Sequence, residues 1–323
     1  MAVAPYVIQP ALVAIANNYA GINRASRGYI ADQVAPRIRV DNRLFRWWQS
    51  DLADAFTQYD NQMSRMSQAN EIGLHWTEAT GQTLDWGLRE AIPYGDEASA
   101  MAQSIPFSLK SQAVKNIVDK NQLAREVRVA ALAMTMANYT TGYYTDLTSG
   151  TKWSDYTNSD PLGLVIDAMA GMILPGTIAV TSRKVANILI RHPAISKAAG
   201  GTLEQGRYSS LDTIASLMGL QKILVGNTLK QTSKRGQTLV TAQIWPDSFA
   251  IMFQGATGAD GLLEDIKSPN FLTTFQWGDT VASEKQIDPG DMGVWGGVKV
   301  FTGESLVEKQ VAPYAGYLFN AVL

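Results

Sequence analysis

The sequence predicts an α+β protein, and two patterns indicate this class. The stretch between Pro106 and Gly142 contains neither glycine nor proline and repeats apolar residues at helical spacing. Helical patterns alternate with short apolar strands between about residues 158 and 225, and the end of the chain is rich in strand patterns. The first pattern predicts one helix over about residues 107–139, roughly 45 Å long if it is continuous.

The composition describes a chain that can fold but carries few charges. Of its 323 residues, 46% are hydrophobic and only 17% are charged, against about 25% in ordinary soluble domains. This shortage indicates that part of the surface is covered, for instance by copies of the same chain. The net charge of −2 argues against a protein whose main function is to bind the phosphate backbone of nucleic acid. The absence of cysteine excludes disulfide scaffolds and thiol catalysis.

The residue types that usually form catalytic, metal-binding or phosphate-binding sites show no recognisable motif in this sequence. His75 and His192 lack the spacing of a metal-binding motif, so we interpret both as structural. His192 lies at a predicted helix end, where its positive charge would favour the helix dipole. Residues 171–177 have the glycine spacing of a phosphate-binding loop, but they contain a proline and lack its lysine. We therefore predict no catalytic residue, no cofactor and no metal.

The chain carries no signal for a membrane. Its N-terminus lacks the basic region of a signal peptide, and its longest apolar runs are far shorter than the ~20 residues that span a bilayer. We predict a soluble intracellular protein without a membrane partner.

The sequence from Tyr6 to about Val40 is mildly apolar and irregular, which indicates an arm. The pattern of residues 44–92 predicts one long excursion that leaves the fold and returns. The return runs through a half-buried strand at 84–92, after a turn at 79–82. A loop of this kind cannot bury all of its tryptophans by itself, so it either packs on the core or docks on a neighbouring subunit. These residues are Trp47, Trp48, Trp76 and Trp86, and we favour the core of the same chain for the last of them.

Four arginines crowd the entrance to this loop: Arg37, Arg39, Arg43 and Arg46. Several aspartates are interleaved with them, which argues against binding of nucleic acid. The pattern favours ion pairs between subunits.

Several helix starts after the long helix can be assigned. Asp160 is a predicted N-cap with Pro161 in the first helical position, and Ser182 is a predicted cap for a helix over 183–191. In the long helix itself the charged residues, Arg125 among them, lie mostly off the apolar stripe. Shorter elements are predicted at 177–181, 211–220, 222–225, 271–277, 293–301 and 307–322.

The order of these features resembles a tailed-bacteriophage major capsid protein of the Hong Kong 97-type fold, which encapsulin shells share. The resemblance covers nearly the whole chain and rests on seven segments in the order of the family. They are Ile30–Pro36, Leu88–Pro93, Arg125–Arg128 with Met134–Tyr139, Trp153–Pro161, Thr181–Val185 with Arg191–Pro193, Leu217–Gly226 and Tyr314–Phe319.

The resemblance implies a shell subunit with four parts. Residues 1–43 correspond to an N-terminal arm, 44–85 to an extended β-hairpin loop, 86–145 and 272–323 to a peripheral domain with a spine helix, and 146–271 to an α/β axial domain. The loop of one subunit would lie over the next, anchored by Phe45, Trp47, Trp48 and Trp76, with the four arginines as ion-pair donors. For each tryptophan, the core of its own subunit is the alternative.

The resemblance also implies partners and a location. The chain would form the pentamers and hexamers of an icosahedral capsid, assembled in the host bacterial cytoplasm with a scaffolding protein and a portal. A cement or decoration protein is a further implied partner, and packaged double-stranded DNA would meet the inner face without sequence specificity. Two alternatives stay open: an encapsulin-like compartment shell, and an oligomeric α/β enzyme.

Overall fold

The computed structural model of the chain describes residues 9–50, 56–63, 68, 71, 73, 76–103, 108–147, 151–200, 208–234, 236–255 and 270–323. The side chains of residues 21–26, 48–50 and 76 are not among the described parts. Trp48, Trp76 and His75 therefore lie wholly or in their side chains outside the described residues. Within the described part, no helix is long and apolar enough to cross a membrane.

The described elements follow one another partly as runs of helices and partly as runs of strands. The helices are α1 Pro10–Arg27, α2 Ala31–Val34, α3 Tyr94–Met101, α4 Leu109–Ala133, α5 Pro161–Gly171, α6 Arg183–Arg191, α7 Pro193–Ala198 and α8 Leu211–Leu217. The strands are β1 Arg37–Val40, β2 Leu44–Ser50, β3 Trp76–Gln82, β4 Leu84–Pro93, β5 Tyr144–Asp146, β6 Ile178–Ser182, β7 Lys222–Gly226, β8 Leu229–Gln231, β9 Thr241–Gln243, β10 Phe249–Met252, β11 Leu272–Ile287, β12 Gly297–Gln310 and β13 Gly316–Asn320.

Two sheets account for most of these strands. The first has the order β1-β11-β12-β4, in which β1 is parallel to β11 and the other pairs are antiparallel. The second has the order β5-β13-β10-β6-β7. Two separate ribbons, β2-β3 and β8-β9, extend from the sheets. The mixture of helices and mainly antiparallel strands confirms the predicted α+β class.

Helix α4 connects the two sheets and is the predicted spine helix. Ser108 caps it by accepting a hydrogen bond from the backbone N–H of Ser111 at 3.3 Å. In its first half Val114 packs under the first sheet, whereas Val129 near its end packs under the second. The helix therefore contributes to the core beneath both sheets.

The spine helix ends at Ala133, earlier than the predicted residue 139. The side chain of Asn138 donates to the carbonyl of Leu132 at 2.8 Å, and the hydroxyl of Tyr139 donates to the carbonyl of Ala133 at 2.6 Å. These bonds satisfy carbonyls that have no partner inside the last helical turn, so the chain can leave the helix at that point.

The prediction of an irregular arm was wrong for residues 10–27, which form α1. Pro10 stands at the start of the helix, and Gly28, with φ of 68°, ends it in the left-handed conformation. Leu12 and Ala16 are buried against the first half of α4, and Arg27 forms an ion pair with Asp119 of α4 at 2.7 Å. The helix was missed because the polar residues Asn17 and Asn18 and the following Gly21 interrupt its apolar pattern and have low helix propensity.

The turn predicted at residues 79–82 was also wrong, because these residues continue strand β3. Gly81 suggested a turn, but its role is steric. A Cβ atom at position 81 would lie 2.5 Å from the ring of Phe45, which packs across the glycine.

The helix starts of the second half were predicted correctly. The carboxylate of Asp160 accepts from the backbone N–H of Gly163 at 3.1 Å, and the hydroxyl of Ser182 accepts from that of Val185 at 3.4 Å. The predicted terminal strands are longer in the structure. Residues 307–322 do not form one strand, since β12 ends at Gln310 and β13 begins at Gly316.

Candidate subunit interface

The β2-β3 ribbon is the base of the predicted extended loop. Its strands pair antiparallel from Leu44 opposite Gln82 to Ser50 opposite Trp76. The ribbon joins no strand of either sheet. A two-stranded ribbon is marginally stable on its own in water, so its attachment to the fold needs side-chain contacts.

Three aromatic rings attach this ribbon to the first sheet. Phe45 lies 4.4 Å from Phe275 of β11 between ring centroids, and Trp47 lies 5.3 Å from the same ring. Ile38 and Val307 complete the buried cluster. Phe45 and Trp47 therefore contact the core of their own chain, which was the alternative to an interface with a neighbour.

Arg37 lies at the centre of a half-buried ion-pair network. Its guanidinium is 3.0 Å from the carboxylate of Asp32 and 2.9 Å from that of Glu304. Burial alone would raise the pKa of Glu304, but the charges of Arg37, Arg125 and Arg128 together hold that pKa below its usual range. Arg37 thus ties the segment after α2 to strand β12.

The other three candidate arginines form more exposed pairs, all within the chain. Arg39 pairs with Asp279 at 2.9 Å, Arg43 with Asp85 at 2.5 Å, and Arg46 with Glu78 across the ribbon at 2.8 Å. Exposed pairs of this kind contribute about 0–1 kcal/mol each. Their partners lie in the same subunit, whereas the sequence suggested partners in a neighbouring one.

Trp86 packs within its own chain, as predicted. Its indole N–H donates to the carbonyl of Leu306 at 3.2 Å. The guanidinium of Arg128 lies over its ring, 3.9 Å from the centroid. Strand β4 is thereby held between β12 and the spine helix.

Two charged residues of the spine helix are buried, although the sequence placed Arg125 off the apolar stripe. Arg125 pairs with Asp32 and donates to the hydroxyl of Thr274 at 3.0 Å. Glu126 accepts three hydrogen bonds, and burial raises its pKa even though those bonds and Arg125 lower it. Sequence patterns place charged residues at the surface by default. Only the tertiary contacts of these two side chains show that they are buried.

Beyond the ribbon, the described part of the loop exposes apolar side chains. Phe56 is 67% exposed, Met63 is 55% exposed, and Tyr59 lies between them with 39% exposed. Three large apolar side chains within eight residues are unusual on a free surface. They are available for contact with another molecule.

The described residues give no catalytic arrangement around His192. Its Nε2 atom lies 3.0 Å from the hydroxyl of Ser159, but that hydroxyl also donates to the carbonyl of Asp155 at 2.6 Å. Nδ1 of His192 is buried and has no partner that could orient the ring. Burial lowers the pKa of His192, which corrects the expectation of a charged side chain at the helix end.

Among the described residues, no group of three or more acidic or histidine side chains could hold a metal ion. A cavity of about 250 Å³ lies between α1, α4 and β12, lined partly by Asn17, Gln122 and Thr302. Its described lining includes no histidine, and the carboxylate of Glu304 there is paired with Arg37 at 2.9 Å.

The comparison with curated proteins identifies the family. No protein-family model matches the chain. The major capsid protein of Pseudomonas phage JBD67 is 34% identical over 323 residues, covering 100% of this chain and 99% of that protein. The chain belongs to the phage major capsid proteins.

Solved structures agree with this family at the level of the fold. A phage-related protein from Bordetella bronchiseptica RB50 has a TM-score of 0.73 at 17% identity, over 99% of this chain and 98% of that one. The capsid protein of the native GTA particle has a TM-score of 0.55 at 14% identity, over 91% and 90%. The capsid protein described here therefore has the Hong Kong 97-type fold.

An encapsulin from Synechococcus elongatus PCC 7942 is similar at a TM-score of 0.51 and 7% identity, over 89% of this chain and 86% of that one. This likeness concerns the fold alone, whereas the full-length sequence match is to a phage capsid protein. The chain is a structural protein of the virion capsid that assembles with copies of itself into a shell, and it is not an enzyme.

Proposed function

We propose that this capsid protein forms the pentamers and hexamers of an icosahedral shell that encloses the double-stranded DNA of a tailed phage. The observation that carries the proposal is the sequence match to a phage major capsid protein over the whole chain. A spine helix that shares its core with both sheets supports it, because a subunit used in two kinds of ring needs a rigid body.

We propose further that the extended loop makes a principal contact between subunits. Phe45 and Trp47 fix the base of the ribbon on their own subunit, while Phe56, Tyr59 and Met63 remain exposed beyond it. An anchored base and an apolar outer part suit a loop that reaches over a neighbour. Trp48, Trp76 and the four arginines Arg37, Arg39, Arg43 and Arg46 remain candidates for the same interface.

The division into parts follows from this proposal. Residues 1–43 are the N-terminal arm, 44–85 the extended loop, 86–145 with 272–323 the peripheral domain, and 146–271 the axial domain. The packing of α1 on the spine helix attaches much of the arm to its own peripheral domain.

The shell implies further partners and a place of assembly. We propose that the chain assembles in the host bacterial cytoplasm with a scaffolding protein and a portal, and that a cement or decoration protein is a further partner of the shell. Packaged DNA would touch the inner face without sequence specificity, and the net charge of −2 indicates that this contact is weak.

A loop replacement tests the docking role. Ser50 and Trp76 form the last pair of the ribbon, so residues 51–75 can be replaced by Asn-Gly, which closes a two-residue hairpin. The shortened chain should fold with an unchanged circular dichroism spectrum but form no closed shells in negative-stain electron microscopy. Normal shells from the shortened chain would contradict the docking role, and a full-length chain that forms no particles would contradict the proposed function itself.

A further inference from the structure

The cavity between α1, α4 and β12 lies where strand β11 is irregular. The pairing of β11 with β12 shifts between Trp277 and Val281, so residues 278–280 face the single residue Glu304. Extra residues of this kind bend a strand away from its partner, which leaves space beneath it. The cavity has a volume of about 250 Å³, about eight times that of a water molecule in the liquid.

Neutral polar groups from four elements line this cavity. Asn121 and Gln122 come from the spine helix α4, Thr302 from β12, Thr280 from the irregular part of β11, and Asn17 from α1. Asn17 is exposed, which places it at the opening towards solvent. Amide and hydroxyl groups can both donate and accept hydrogen bonds, so the lining suits a ligand with hydroxyl groups.

Two of these polar groups have buried atoms without a hydrogen-bond partner in the described chain. Thr302 lies on the same face of β12 as Val300, which packs under the first sheet, and its hydroxyl has no partner although the residue is only 1% exposed. The Oε1 atom of Gln122 has none either, whereas its amide nitrogen donates to the carbonyl of Ala20 at 3.2 Å. Buried polar atoms are normally paired, so both indicate a bound molecule.

The charged groups at the cavity already neutralise each other. Arg37 and Glu304 both line it, and they pair at 2.9 Å. The guanidinium of Arg37 also donates to Asp32 and to the side-chain oxygen of Gln276, each at 3.0 Å. A charged ligand would lose its hydration without gaining an ionic partner in the described lining. A neutral ligand avoids this cost.

We propose that this cavity binds a small neutral polyol, a molecule with several hydroxyl groups on a short carbon chain. One hydroxyl donates to Oε1 of Gln122, and another exchanges a hydrogen bond with the hydroxyl of Thr302. The carbon chain lies against Ala16, Ala20 and Val118, the apolar part of the lining. Water can satisfy the polar atoms, but only a ligand with C–H groups also buries apolar surface there.

A bound polyol would attach the helix of the N-terminal arm more firmly to the rest of the subunit. Gln122 of the spine helix already contacts the carbonyl of Ala20 in α1. The ligand adds contacts from both helices to Thr302 of β12. Because it binds only the folded arrangement, it stabilises that arrangement by mass action. The binding does not depend on shell assembly, so it can be measured on the purified full-length chain.

Two threonine variants separate the cavity from other buried sites. Saturation-transfer NMR with glycerol and with sorbitol should show saturable binding to the unchanged chain. Thr302→Val keeps the side-chain shape but removes the hydroxyl, so the dissociation constant should rise about tenfold. Thr228→Val is the matched control, because Thr228 is 5% exposed, its hydroxyl has no partner in the described chain, and it does not line the cavity. Its binding should equal that of the unchanged chain.

The stability of these variants provides a check on folding. The hydroxyl of Thr302 has no partner in the described chain, so the unfolding temperature of Thr302→Val in buffer should stay the same or rise. Added polyol raises the unfolding temperature of most proteins because it is excluded from their surfaces. The informative quantity is therefore the difference between Thr302→Val and Thr228→Val in sorbitol, where the first should gain less.

A variant that fills the cavity gives a second test. Ala20→Leu places a larger side chain in the cavity and should abolish the saturable signal, whereas Ala124→Leu makes the same change on the exposed side of α4 and should retain it. Absence of saturable binding by either polyol would mean that the cavity holds water only, and would overturn the proposal. Equal binding by Thr302→Val and Thr228→Val would also overturn it.

Discussion

The carboxylate of Glu126 accepts a hydrogen bond from the indole N–H of Trp245 at 2.7 Å, which joins the spine helix to the segment leading into β10. The same carboxylate accepts from the backbone N–H groups of Ile30 and Ala31 at 3.1 and 2.9 Å. One buried side chain therefore holds three distant parts of the chain together. These hydrogen bonds stabilise the shape of a subunit that is placed at positions of different curvature in a shell.

The contribution of the Glu126–Trp245 hydrogen bond to stability can be measured with variants of two tryptophans. Trp245→Phe removes the donor to Glu126, whereas Trp153→Phe changes an equally buried indole whose N–H has no partner among the described residues. Both variants lose side-chain volume, so the difference between their losses in stability isolates the hydrogen bond to a charged group. Trp245→Phe should lower the free energy of unfolding by about 1.5–3 kcal/mol more than Trp153→Phe. Chemical denaturation of the two variants measures it; equal losses would contradict the role given to Glu126.

The candidate arginines should differ in their contribution to stability. Arg37→Ala removes the half-buried guanidinium that pairs with Glu304 and, together with Arg125, with Asp32, which should cost about 1–3 kcal/mol. Arg39→Ala removes an exposed pair with Asp279 and should cost no more than about 1 kcal/mol. Urea denaturation of the two variants tests this order, and a larger loss for Arg39→Ala would refute the assignment.

Gly81 should be intolerant of a side chain. Gly81→Ala would place a Cβ atom 2.5 Å from the Phe45 ring and displace that ring from Phe275. We expect a lower unfolding temperature and a changed fluorescence of Trp47, its neighbour in the cluster. Gly95→Ala is the control, because nothing lies within 4 Å of a Cβ atom there. Identical melting and fluorescence of both variants would argue against this packing.

Acid should destabilise the subunit through His192. Burial lowers the pKa of this imidazole below its ordinary value of 6.5, although Asp160 opposes the shift. The unfolded chain then binds a proton that the folded chain does not, so the free energy of unfolding falls as the pH drops below about 6.5. His192→Gln should remove this part of the pH dependence. Unfolding curves between pH 7.5 and 5.5 measure it, and an unchanged slope in the variant would exclude the contribution.

Local chemistry explains which elements could be predicted from the sequence. The side chains of Asp160 and Ser182 accept hydrogen bonds from backbone N–H groups three residues further along the chain. Both caps can therefore be predicted from the local sequence alone. The strands around Phe275 were recognised by their apolar patterns, and the order of segments indicated the fold.

Contacts distant in sequence explain what could not be predicted. Gly81 indicated a turn because the ring above it comes from Phe45 on the paired strand. Arg125 was placed off the apolar stripe and Glu126 was not singled out, because their partners, Asp32 and Trp245, lie 93 and 119 positions away. Likewise, no local signal pairs Lys285 with Lys299, since strand register depends on the whole sheet.

The central claim is that this chain builds a shell from copies of itself, and negative-stain electron microscopy of the purified full-length protein tests it most directly. The account predicts closed shells, tubes or rings of five and six subunits. A preparation that remains a uniform monomer or dimer under all assembly conditions would contradict it.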